Sequence, residues 1–132
     1  MAWRGIVKMD ESVAVRFYKI EQLADLVFDR LYREVVKLGF ATDDVTLKRP
    51  QEAAYRLERD PASSEYSLVG DWLNERGMKL GTLLFHADGS FFVEQDVVRP
   101  HPTKQGWFVE AVNAWGRGEA IKAEARLLPM PE

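Results

Sequence analysis

The chain contains no cysteine. That excludes disulfides, thiol nucleophiles and thiolate-bound metals, and leaves stability to packing and hydrogen bonding. No uninterrupted apolar run approaches the ~20 residues of a membrane span, and Met1-Ala2-Trp3-Arg4-Gly5 has no apolar stretch behind its positive charge. A cytoplasmic protein without membrane contact is the expectation. Charge of one sign is missing too: 18 basic residues stand against 21 acidic ones, for a net charge of -3. No general field draws phosphate backbones, so nucleic acid is not an expected partner. Lys48, Arg49, Arg56 and Arg59 read as solvated surface.

What is present suffices for one core. With 46% hydrophobic and 11% aromatic residues in 132, a single α+β domain spanning residues 1–132 is expected. Leu23, Leu26, Val27, Leu31, Val35 and Leu38 recur at helical spacing, which predicts a long amphipathic helix from Glu21 to Leu38 with Gly39 as its left-handed stop. Upstream, Ile6 to Met9 and Val13 to Tyr18 read as a hairpin around Asp10-Glu11-Ser12, with Val13 to Ile20 alternatively an early extension of the helix. Ala53 to Arg59 alternates and reads as a strand, although Pro50 would also suit the start of a short helix.

Tyr66 to Val98 carries the clearest pattern. Three strands are joined by Asn74-Glu75-Arg76-Gly77 and His86-Ala87-Asp88-Gly89, which makes an antiparallel meander. The prolines in Arg99-Pro100-His101-Pro102 interrupt it. Thr103 then reads as an N-cap, and Trp107, Phe108, Ala111, Val112 and Trp115 as the face of a second, shorter helix. Ile121 to Leu127 alternates and predicts a final half-buried strand. The expected architecture is therefore an antiparallel sheet of about five to six strands packed by the long helix.

Faces depend on the turns. A two-residue Asp88-Gly89 turn pairs Phe85 with Phe92, Leu83 with Glu94 and Gly81 with Asp96. A four-residue loop from Asn74 to Gly77 then sets Gly70 beside Gly81 and puts Trp72 on that same face. The expected site is a hollow floored by glycine, with Trp72, Phe85, Phe92, Glu94 and Asp96 as candidate ligand-binding residues. The competing reading has the glycines curving the sheet and the carboxylates facing water. A three-residue loop closed by Gly77 or Gly89 slips the register by one and disperses the set.

Other chemistry is weakly signalled. His86 and His101 do not gather with Glu94 or Asp96 as zinc would require, so neither a metal nor a cofactor is expected. Ser63, Ser64 and Ser67 lack a nucleophile-elbow context, and no catalytic residue is assigned. Gly116-Arg117-Gly118 has neither the spacing nor the Lys-Ser/Thr of a phosphate loop and reads as a turn. The expectation is a non-enzymatic binding or protein-interaction module, with a second copy of the chain or another protein as partner. The alternative is a protein or enzyme acting on a small apolar ligand at a concave sheet face bearing Glu94 and Asp96.

Overall fold

The computed structural model of the chain describes residues 11–62 and 64–131. Their architecture is α+β: helix α1 (Glu11–Lys37) followed by strands β1 (Ala54–Arg59), β2 (Tyr66–Leu73), β3 (Lys79–Phe85), β4 (Ser90–Pro100), β5 (Trp107–Arg117) and β6 (Ala120–Pro129). The six strands form one antiparallel sheet in the order β1-β2-β3-β4-β5-β6. No described helix is long and apolar enough to cross a membrane.

The helix is longer than its clearest periodicity, because Val13 to Tyr18 belongs to it rather than to a hairpin. The strand expected over Ile6 to Met9 lies outside the described residues. Ile20, Ala24, Val27, Phe28, Leu31 and Val35 bury one stripe of α1 against the sheet. At its end the Phe40 N–H donates to Val35 O and the Gly39 N–H to Val36 O, with Gly39 at φ +108°. This is a Schellman stop, for which the left-handed residue is best a glycine.

The helix expected after Thr103 is instead strand β5. Its helical look has a physical cause. β5 lies between β4 and β6, and Val109, Ala111, Val112, Asn113 and Ala114 are all buried. With side chains buried on both faces, the alternation that marks a strand disappears. A register shift between Val109 and Ala111, leaving Glu110 as the extra residue, breaks it further.

Both hairpin loops hold three residues between the closing pair. The His86 N–H donates to Ser90 O and the Asn74 N–H to Met78 O, with Gly89 at φ +87° and Gly77 at +77°. Asx side chains shape both loops: Asp88 Oδ1 accepts the Ser90 N–H, and Asn74 Oδ1 accepts those of Arg76 and Met78. Phe85 therefore pairs with Phe91, Thr82 with Glu94 and Gly81 with Gln95. In β2, Trp72 pairs with Gly81 and Gly70 with Leu83.

Between α1 and β1 the chain runs as a strap over the same face of the sheet as the helix. Phe40, Val45, Leu47 and Pro50 are buried in it. Side chains rather than a backbone ladder hold it. Gln95 exchanges two hydrogen bonds with the Lys48 backbone, Trp72 Nε1–H donates to Arg49 O at 2.8 Å, and the Tyr32 hydroxyl accepts the Leu47 N–H at 3.1 Å. Tyr55 closes it from β1, donating to Pro50 O at 2.8 Å.

Candidate functional site

The register divides the five candidate residues between two faces. Trp72 and Phe85 lie under the helix, at 1% and 4% exposure, where Phe85 stacks on Phe91 with ring centroids 6.3 Å apart. Phe92, Glu94 and Asp96 point to the opposite side. The pairing of Phe85 with Phe92 and of Gly81 with Asp96 is thus corrected by one residue, because the β3–β4 loop spends Gly89 in the left-handed position of a three-residue turn. Between β2 and β3 the displacement is two residues, one from the like loop at Gly77 and one from the irregularity between Trp72 and Leu73, which leaves Leu80 as the extra residue.

No glycine-floored hollow results. Gly70 and Gly81 are not opposite one another, and each is covered by a ring. A Cβ on Gly70 would lie 2.7 Å from Tyr55 Cε1, and one on Gly81 would lie 3.2 Å from Trp72 Cε3 and 2.3 Å from Glu94 O. The glycines seat two aromatics of the core. Burial pushes the Tyr55 hydroxyl well above its ordinary titration range, in keeping with its role as a donor to Pro50.

The other face of the sheet is open. α1 and the strap both pack on the first face, and no described element lies across the second. Cross-strand pairing arranges that face in rows. One row runs Arg56, Val69, Leu84, Phe92, Trp115, Lys122 from β1 to β6, four apolar side chains between two cations. Val69 is buried by its neighbours, while Leu84, Phe92 and Trp115 are half-buried. The next row runs Asp71, Thr82, Glu94, Asn113, Glu124 across β2 to β6, and Asp96 and Arg126 flank Ala111 beyond it.

Ion pairs fix this second row in place. Arg56 and Lys79 both bind Asp71, and Arg126 bridges Glu94 at 3.1 Å and Glu110 at 3.7 Å. Partial burial acts to raise the Asp71 carboxyl, but its hydrogen bonds to Arg56 and Lys79 outweigh that and hold it below the ordinary carboxylate range. Three carboxylates of the row and Asp96 stand against three cations, Arg56, Lys79 and Arg126, that are already engaged. The rim beside the apolar row therefore carries one carboxylate more than its cations.

The structure also brings together a pair that sequence could not place. Ser67 Oγ and His86 Nδ1 share a hydrogen bond of 2.8 Å at the mouth of a cleft of about 400 Å³ bordered by Asp60, Glu65 and Asp88. The signal lies in the β2–β3 register alone, which makes the two residues cross-strand neighbours. Ser67 sits within β2, between β1 and β3, rather than on a turn with free amides, so no oxyanion hole is built around it. The pair links two strands.

His101 is also committed. Its Nδ1 accepts the N–H groups of Thr103 at 3.1 Å and Lys104 at 2.7 Å, so the ring proton belongs on Nε2, which donates to Leu38 O at the end of α1. The Arg-Pro-His-Pro segment thereby ties the β4–β5 loop to the helix terminus. Among the described residues no group of three or more His, Asp or Glu side chains is placed to hold a metal ion. No protein-family model, curated protein or solved structure matches this chain.

Proposed function

We propose that the chain is a non-enzymatic protein-interaction module whose contact surface is the open face of the sheet. The observation that carries this reading is the row Val69, Leu84, Phe92, Trp115, which spans four strands on a face no described element covers. Interface centres are built from such aromatic and aliphatic side chains inside a polar rim. Here Asp71, Glu94, Asp96 and Glu124, set against Arg56, Lys79 and Arg126, leave that rim with a small excess of negative charge along one side. The fitting occupant is a protein segment with an apolar stripe flanked by basic residues. Ion pairs already hold Asp71 and Glu94 in place, so little side-chain entropy is lost when a partner arrives.

The test uses a synthetic amphipathic helix of leucine and lysine as probe, with a leucine and glutamate helix as its control. Backbone chemical shifts should move at Val69, Leu84, Phe92 and Trp115 with the basic peptide and not with the acidic one. Phe92→Ser should weaken that binding about tenfold or more. Absence of binding at millimolar peptide, or shifts confined to the helix side, would overturn the reading.

A further inference from the structure

The sheet has two edges, and they are built differently. β1 has six residues, lies between the turn at Pro50–Glu52 and the loop at Asp60-Pro61, and its Arg56 is held by Asp71 and Glu58. A short, charged edge of that kind resists pairing. β6 has ten residues, with no glycine and no proline before Pro129, and the irregularity near its end falls on β5 at Glu110. Its helix-facing side chains, Ile121, Ala123, Ala125 and Leu127, pack at the margin of the core but stay half-exposed. No described strand lies on their far side.

We infer that β6 pairs antiparallel with β6 of a second copy of this chain, about a twofold axis through Ala125. Charge sets the register. On the open face β6 presents Lys122, Glu124 and Arg126. An axis through Ala125 sets Glu124 opposite Arg126 of the second copy, twice, and Lys122 opposite Leu128. An axis through Glu124 would oppose Glu124 to itself and Lys122 to Arg126, and one through Arg126 would oppose Arg126 to itself. Like charges directly across a strand pair are destabilising. An axis through Ala123 avoids them but overlaps less of the strand.

In the chosen register Ala123 faces Leu127 and Ile121 faces Pro129, which completes the apolar row under the helix. A twofold contact also closes on itself, so pairing stops at two copies. The two sheets become continuous, and their open faces lie side by side. This inference stands on the edge of the sheet and not on the reading of its open face.

Sedimentation of the full chain over a concentration series tests it, together with amide hydrogen exchange at low and high concentration. The expected result is a dimer whose formation slows exchange in β6 and leaves β1 unchanged. Glu124→Arg should raise its dissociation constant about tenfold or more, because arginine would then face Arg126 in both halves. Ala123→Pro should act in the same direction, and where it fails to fold the charge variant and the exchange pattern still decide. A monomer at every concentration would overturn the inference, as would a dimer unaffected by Glu124→Arg or protected in β1. A dimer lost on Trp115→Ser but not on Glu124→Arg would place the contact on the open face instead.

Discussion

The Gln95 side chain and the Lys48 backbone exchange two hydrogen bonds of 2.7 Å each, the amide acting toward the strap as a strand would act toward its neighbour. Gln95 is 3% exposed, so neither bond is replaced by water when one partner is removed. Gln95→Leu keeps the volume and leaves the Lys48 N–H and C=O without partners. It should cost about 2 to 3 kcal/mol, read as a lower urea midpoint at unchanged slope.

Gly39 and His101 make a second tight contact. A Cβ at Gly39 would lie 2.9 Å from His101 Nε2, on a backbone at φ +108°. Gly39→Ala should therefore cost roughly 2 kcal/mol, part from the left-handed backbone and part from the collision. His101→Ala alone should also destabilise, since it removes the donor to Leu38 and the acceptor for Thr103 and Lys104. In the double variant the collision is gone, so the two costs should sum to more than the cost measured together.

Asp71 gives the acid limb of stability a direction. Its carboxyl is held below the ordinary range in the folded chain, so the stabilisation is present above the unfolded value of about 3.9 and is lost as pH falls through the lower folded value. Asp88, lowered by its hydrogen bonds to Ser90, acts with the same sign. Urea midpoints measured from pH 7 down to pH 2 should fall at the acid end, and Asp71→Asn should flatten that fall. An unchanged slope in Asp71→Asn would show that other groups set it.

Val98 occupies the irregularity between Asp96 and Arg99 with φ +45° and a side chain that leaves it 62% exposed. A β-branched residue in that backbone region is strained, and little burial is at stake. Val98→Gly should raise stability by about 1 kcal/mol, seen as a higher melting temperature. A decrease would mean that the valine side chain makes packing that outweighs the strain.

Much of this arrangement is legible in the residues themselves. The Gly39 stop, the alternation of β1 and β6 and the glycine-ended turns all follow from local spacing and recur in the structure. The α1 stripe recurs at Val27, Leu31 and Val35, but Leu26 is exposed and Ile20, Ala24 and Phe28 take buried places the spacing did not assign. The site is less legible because it depends on small slips of register, one residue between β3 and β4 and two between β2 and β3. Asn74 and Asp88 carry the signal for three-residue loops, since each accepts amide bonds inside its turn, but loop length is decided by that geometry and not by residue type. One slip sends Trp72 and Phe85 into the core and leaves Phe92 and Glu94 outside. β5 was hidden for a different reason: Ala111 and Asn113 on one face and Val109, Val112 and Ala114 toward the other are buried alike.

The strap also bears on how the molecule comes together. The Lys48–Gln95 contact joins residues 47 positions apart, and Arg49–Trp72 joins residues 23 apart. The two contacts anchor the strap to β2 and to β4 on either side of β3, so the segment gains its full order only after the β2–β3–β4 meander has paired. Once seated, it couples Tyr32 of the helix, Tyr55 of β1, Trp72 of β2 and Gln95 of β4 through one stretch of backbone. Helix and sheet then melt together, because neither separates from the other without first releasing the chain laid across both.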